Sequence, residues 1–123
     1  MAVVVIGTIA VFFLGMGVYA LAAPAALVHP FGITLGEAAS RSEVRAVYGG
    51  FGFAIAGVLA YAAVADGDVR KGIVITVGAA LAGMAFGRVA AAILGDRTAF
   101  YPNWFYFLVE AVAASALFAI SAR

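Results

Sequence analysis

Four long apolar stretches, separated by short polar connections, dominate the pattern of this chain. No charged side chain precedes Glu37, and residues 2–27 can cross about 30 Å of hydrocarbon at about 1.5 Å per residue. The later apolar runs predict further spans near 43–65, 72–94 and 104–122. Short connections between the spans predict an all-α fold: a single transmembrane domain over residues 1–123, built as an integral membrane four-helix bundle with up-down-up-down topology.

Helix-breaking and capping residues set the predicted ends of these spans. Pro24 and Pro30 interrupt the backbone around residues 27–29, and residues 28–42 are mixed enough in polarity to form an interfacial loop or a short surface helix. Ser40 and Glu43 have capping-box spacing, which predicts that the second helix starts one residue after Ser40. Gly95 and the aspartate after it provide a stop signal for the third helix.

The composition indicates that most of the chain is surrounded by lipid rather than by water. Hydrophobic residues make up 67% of the chain and charged residues 11%, whereas soluble domains hold about 25% charged residues. The net charge is only +1 and no basic run occurs, so we expect no binding to nucleic acid. The chain has no cysteine, which excludes disulfides and thiolate metal sites. No metal site or other cofactor is expected, and membrane lipids are the expected surroundings.

Small residues recur where helices could approach one another closely. In the third helix they fall four residues apart, and this glycine ladder comprises Ala79, Gly83, Gly87, Ala91 and Gly95. Such a ladder favours tight helix packing, either against a neighbouring helix of the same chain or as the seam of a homo-oligomer. Close approach is likewise predicted for glycines of the first two helices, namely Gly15, Gly17, Gly49, Gly50, Gly52 and Gly57.

Two opposite charges lie inside apolar runs, Arg88 in the third span and Glu110 in the fourth. A lone charge at the centre of a span costs roughly 2.5 to 3.5 kcal/mol on insertion scales, so it normally faces a partner or a wet cavity. Arg88 precedes Gly95 by seven residues and Glu110 follows Trp104 by six, which puts both side chains about 10 Å inside the same membrane face. The sequence therefore predicts an Arg88–Glu110 ion pair.

Further polar residues are predicted near that face. Arg45 starts the second helix there, Tyr48 follows one turn deeper, and Tyr19 approaches from the first helix. With Arg88 and Glu110 these residues could line a polar intramembrane cup whose net charge is positive, which suits a lipid-like or small anionic ligand. The alternatives are a structural ion pair that fixes helix register and an Arg45 that only extends to the interface. The single histidine, His29, is interpreted as a loop-surface residue, since a metal site needs several ligands.

The stretch Ser42–Gly50, together with Gly87–Arg88 and Glu110, resembles small bacterial four-helix membrane proteins grouped as domain of unknown function 4345, and more loosely DoxX-type proteins. The likeness covers nearly the whole chain, and its most specific part is the Arg-Ala-Val-Tyr-Gly-Gly run. It implies the fold and little else, and the expected location is a bacterial inner membrane. No activity or ligand transfers, and four positions carry over only as recurring polar positions: Arg45, Tyr48, Arg88 and Glu110.

Three functional classes follow. The first is binding or transport of a lipid-like or small anionic ligand in the cup. The second is an accessory subunit of a larger membrane complex, and the third is a membrane enzyme that uses Glu110 as acid or base. No nucleophile with an adjacent base, phosphate loop or metal cluster supports the third class, so no catalytic residue is assigned. Under the positive-inside rule the distribution of Lys and Arg favours cytoplasmic termini.

Overall fold

The computed structural model describes residues 1–123 and contains helices joined by short connections, with no β-strand. Its α-helices are α1 Ala2–Ala22, α2 Pro24–Val28, α3 Ala38–Val44, α4 Phe51–Val64, α5 Gly67–Ile93 and α6 Phe105–Ser121. A π-helical segment, Arg45–Gly50, joins α3 to α4 without a break, and a second one, Phe100–Trp104, leads into α6. A 3₁₀ turn, His29–Phe31, follows α2. The predicted all-α class is confirmed.

Four helical stretches are long and apolar enough to cross a membrane: Ala2–Ala22, Ala38–Val64, Gly67–Ile93 and Phe100–Ser121. Large apolar side chains in the middle of these stretches are exposed, including Phe12, Phe86 and Val112 at 64%, 72% and 67%. A water-soluble surface does not carry apolar patches of this extent. Length, composition and exposure together indicate an integral membrane protein. The up-down-up-down order of the four spans stays a prediction.

The chain divides into two compact units. The first unit holds Val3–Val64 together with Met1, and the second holds Ala65–Arg123 together with Ala2. The first unit therefore contains α1 to α4, whereas the second contains α5 and α6.

In the first unit, α1 approaches the π-helical segment and the start of α4 closely at three glycines. A Cβ added to Gly52 would lie 2.9 Å from the carbonyl oxygen of Phe13, and one added to Gly17 would lie 3.0 Å from that of Gly49. A Cβ on Gly49 would meet the Leu21 side chain at 2.8 Å. The partners advance along α1 as they recede along α4, so the two helices are antiparallel. The predicted close approach is confirmed at these three glycines.

The remaining predicted glycines of the first unit do not serve this purpose. An added Cβ would meet nothing within 4 Å at Gly15 and Gly57, and only the Arg45 carbonyl oxygen at 4.0 Å at Gly50. Composition alone could not separate the two sets, because what distinguishes them is the face of the helix on which each glycine lies.

Two helix boundaries in the first unit differ from the sequence prediction. The first span ends its regular helix at Ala22, because Ala23 leaves the helical conformation (φ −144°, ψ 67°) before Pro24, and proline disfavours the α-helical region for the residue that precedes it. The second span begins at Ala38, ahead of the predicted start, and its N-cap is Glu37. No side-chain cap forms there, so the expected Ser40–Glu43 capping box is wrong.

In the second unit, α5 begins earlier than hydropathy predicted and ends at the expected glycine. Its first turns carry polar residues, with Asp68 placed favourably for the positive end of the helix dipole. At its other end the backbone N–H of Asp96 donates to Ala91 at 2.9 Å and that of Gly95 to Ala92 at 3.2 Å. This is a Schellman cap, and it requires the positive φ of 112° that Gly95 adopts.

The face of α5 that packs against α6 is not the glycine ladder. The buried positions of α5 are Val74, Val77, Gly78, Leu81 and Ala85. A Cβ added to Gly78 would lie 3.0 Å from the Phe118 ring, so this glycine lets α6 approach. By contrast Gly83 and Gly87 are exposed, and an added Cβ would meet nothing within 4 Å at either. Gly83 and Gly87 therefore make no close helix contact, and the packing role predicted for the ladder, against a neighbouring helix or as an oligomer seam, stays a prediction.

Candidate functional site

The predicted ion pair is present in the second unit. Arg88 continues the buried stripe of α5 one turn beyond Ala85, and Glu110 heads the buried stripe of α6. The guanidinium donates from Nε to Glu110 Oε1 at 2.8 Å and from Nη2 to Oε2 at 2.9 Å. This two-bond arrangement matches the planar fork of arginine to a carboxylate, which is the strongest form of such a pair. The side chains of Arg88 and Glu110 are 23% and 7% exposed.

Two residues near the pair were not predicted as part of it. Arg88 also donates from Nη1 to Asn103 Oδ1 at 3.1 Å, and its guanidinium carbon lies 6.0 Å from the centre of the Tyr106 ring. From the sequence alone, Asn103 after Pro102 indicates only a turn, and Tyr106 belongs to a run of aromatic residues typical of a membrane interface. The signal that could have found them is spacing, because Asn103, Tyr106 and Glu110 stand at i, i+3 and i+7 and so share one helix face.

The cluster has no net charge; it consists of Arg88, Glu110, Asn103 and Tyr106. One positive and one negative charge neutralise each other, all three kinds of guanidinium nitrogen donate to an acceptor, and both carboxylate oxygens accept. No buried side-chain nitrogen or oxygen lacks a partner. An apolar span tolerates such a cluster because neither charge is left alone. The cluster therefore serves to hold α5 and α6 in a fixed arrangement.

Arg45 is held differently, in the first unit. Ala23 and Pro24 end α1, and proline has no N–H to continue the helical hydrogen bonds, so the last carbonyls of α1 need other donors. Arg45 Nε donates to one of them, the Leu21 carbonyl oxygen, at 3.0 Å. A cation at the negative end of a helix dipole is favourable. Pro24 thereby creates the acceptor that orients Arg45.

The position of Arg45 depends on the π-helical segment that it begins. The N–H of Phe51 bonds to the carbonyl of Ala46, five residues earlier, so this turn holds an extra residue. Such wide turns recur at functional sites. This segment coincides with the Arg-Ala-Val-Tyr-Gly-Gly run that carries the family resemblance, and nothing in the hydrophobic and polar pattern indicates its π geometry.

Beyond this bond, the guanidinium of Arg45 is uncommitted. The side chain is exposed, and no hydrogen bond from either Nη atom and no ion pair within 4.0 Å is formed. Tyr48, in the same π-helical segment, and Tyr19, in the last turn of α1, are 39% and 48% exposed. His29 is exposed as well.

The structure thus distributes the five predicted site residues over both units. Tyr19, Arg45 and Tyr48 belong to the first, whereas Arg88 and Glu110 belong to the second and bind each other. A single cup formed by all five stays a prediction.

Comparison with known proteins gives one match. No curated protein and no solved structure matches the chain significantly. The family model described as domain of unknown function (DUF4345) matches residues 1–121 of the 123. The matched region contains the π-helical segment around Arg45 and both members of the Arg88–Glu110 pair. The chain therefore belongs to the DUF4345 family, as its sequence pattern suggested.

Proposed function

We propose that this integral membrane protein binds a lipid-like or small anionic ligand at the polar end of its second span. Arg45 is the anion-binding residue, and the hydroxyls of Tyr48 and Tyr19 are the adjacent hydrogen-bond donors. The observation that carries the proposal is the state of the Arg45 guanidinium, which is exposed and fixed through Nε while its two Nη groups have no protein acceptor.

The comparison between the two arginines supports this assignment. Arg88 is neutralised by Glu110 and has no spare charge to offer a ligand. Arg45 makes no ion pair, although Glu43 lies only two residues before it. Its bond to the Leu21 carbonyl also restricts the guanidinium before a ligand arrives, which lowers the entropy cost of binding a carboxylate or phosphate through the Nη atoms.

A native mass spectrum of the gently extracted protein tests this proposal. The wild type is expected to retain an acidic lipid or small acid that Arg45→Gln loses. Arg41→Gln is the matched control, because Arg41 lies one turn earlier on the same helix. If every molecule retained by the wild type also survives in Arg45→Gln, or if Arg41→Gln loses the same molecule equally, the result would count against Arg45 as the binding residue.

The accessory-subunit alternative is favoured by one observation, the exposed glycine ladder on α5. A partner helix could approach α5 closely there, either from a second copy or from another membrane protein. Stoichiometric co-purification of a second protein in mild detergent is the test. The enzyme alternative gains no support, because both oxygens of Glu110 already accept hydrogen bonds from Arg88.

We also propose a bacterial inner-membrane location with both termini in the cytoplasm. With Arg45 and Arg88 set aside as site residues, three cations lie on the proposed cytoplasmic side (Arg70, Lys71 and Arg123) and two on the other (Arg41 and Arg97). An excess of Lys and Arg marks the cytoplasmic side. A C-terminal reporter enzyme that is active only outside the cytoplasm should stay inactive, and an active reporter would reverse the orientation.

A further inference from the structure

An open groove of about 390 Å³ lies in the second unit where α5 ends, and none of its lining residues belongs to the clusters around Arg88 or Arg45. The lining consists of Val89, Ala92, Ile93, Arg97, Thr98 and Trp104. The groove is therefore formed by the last turns of α5, the connection that follows, and the turn that leads into α6.

One part of the groove is apolar. Val89, Ala92 and Ile93 come from consecutive turns of α5 and carry no polar side-chain atom. Ile93, the last residue of a helix long and apolar enough to span a membrane, is 79% exposed. Such a surface is suited to contact with hydrocarbon rather than with water.

The rest of the groove offers hydrogen-bond donors that no protein acceptor uses. The Arg97 side chain makes no hydrogen bond and no ion pair, even with the neighbouring Asp96, whose side chain does not line the groove. The Thr98 hydroxyl and the Trp104 indole N–H likewise have no protein acceptor, and Trp104 is half-buried. Three donors, one of them charged, thus face one opening without a carboxylate among them. Phosphate oxygens are the acceptors that such a set matches.

We infer that this groove binds a phospholipid, with its phosphodiester at Arg97, Thr98 and Trp104 and the upper part of one acyl chain along Val89, Ala92 and Ile93. From Val89 to Ile93 the helix rises about 6 Å, whereas one leaflet of hydrocarbon is about 15 Å deep. The groove therefore holds the headgroup and the first part of a chain, and the remainder lies in the bilayer. Tryptophan and arginine are the side chains that favour this depth in a membrane.

This inference does not depend on the function proposed for Arg45. The two sites lie in different units and share no residue. An Arg45→Gln variant is expected to keep phospholipid binding in the groove unchanged, so failure of one proposal leaves the other standing.

The chain contains one tryptophan, and it lines the groove, so its fluorescence reports occupancy directly. The full-length protein in detergent would be titrated with phosphatidylglycerol carrying brominated acyl chains, which quench indole fluorescence on contact. We expect quenching that saturates at one lipid per chain. Arg97→Gln should raise the half-saturation concentration about tenfold through loss of a charge-assisted bond, and Arg123→Gln should leave it unchanged.

Two further measurements separate phospholipid recognition from general contact. Ala92→Phe fills the apolar part while keeping Arg97, and it should weaken quenching at least as much; excess unbrominated phosphatidylglycerol should restore the wild-type fluorescence. Quenching that rises linearly with brominated lipid and is equal in wild type and Arg97→Gln would overturn the inference. So would brominated diacylglycerol binding as well as phosphatidylglycerol, or inorganic phosphate displacing the lipid, because the site would then recognise only a chain or only a free anion.

Discussion

Removing both charges of the Arg88–Glu110 pair should destabilise the protein by less than the sum of the losses caused by removing each charge alone. In Arg88→Met, the Glu110 side chain, which is 7% exposed, keeps its charge and loses both hydrogen bonds, and breaking a buried pair in this way costs about 3 kcal/mol. In Glu110→Gln, one amide oxygen still accepts from an arginine that is 23% exposed and bound to Asn103, so about 2 kcal/mol is expected.

The double variant should lose about 3 kcal/mol, because the buried amide of Gln remains unpaired but no lone charge is left. Additive single losses would give about 5 kcal/mol, so the coupling energy is about 2 kcal/mol. Unfolding in mixed micelles of mild detergent and dodecyl sulfate, followed by circular dichroism, measures these differences. Glu43→Gln, at an exposed carboxylate, is the control. A double variant that loses the full additive amount would refute the argument that the lone charge is the costly species.

Three further predictions use the same unfolding assay. Asn103→Ala should cost about 1 kcal/mol by removing one bond to Arg88, and an unchanged stability would show that this bond contributes nothing. Gly52→Ala should cost about 1 to 3 kcal/mol, because its Cβ meets backbone at 2.9 Å, whereas Gly57→Ala meets nothing and should be neutral or stabilising; equal effects would contradict the helix crossing. Gly83→Leu should leave the unfolding free energy of the monomer unchanged. A loss of stability seen only in a cross-linked oligomer would place the oligomer seam at Gly83.

The Arg88–Glu110 pair could be predicted from the sequence because two constraints converge on it. A charge within a span needs a partner, and counting residues from the Gly95 stop and from Trp104 puts both side chains at one depth. The same counting could have included Asn103, which stands two helical turns before Glu110. The Pro102–Asn103 pair is typical of a turn, which indicates a backbone role for Asn103 and gives no sign of its side-chain bond to Arg88.

Other features could not be read from hydropathy. The polar start of α5 was assigned to a connection because Asp68 and its neighbours lower the apolar average, although a helix can extend past the hydrocarbon with its first turns in water. The roles of the glycines depend on helix rotation, so Gly52 at a contact and Gly57 in open space look alike in sequence. Arg45 was expected at the membrane face, but its acceptor on Leu21 exists only because α1 ends at Pro24.

Because of the π-helical segment, the direction in which the Arg45 side chain points depends on the number of residues in that turn rather than on the identity of any one of them. The buried stripe of the second span steps from Gly49 to Gly52 and Ala56 at ordinary spacing, yet from Val44 to Gly49 it advances by five. In a regular α-helix five residues rotate about 140° past a full turn, so Val44 would leave the packed face.

The wide turn absorbs that excess and keeps the helix in phase on both sides of it. Deleting one residue between Ala46 and Tyr48 would change neither the length nor the hydropathy of the span appreciably. It would nevertheless rotate the preceding part of the helix by about 100° and turn Arg45 away from the Leu21 carbonyl. Inserting or deleting a single apolar residue in this turn would therefore alter the polar site around Arg45.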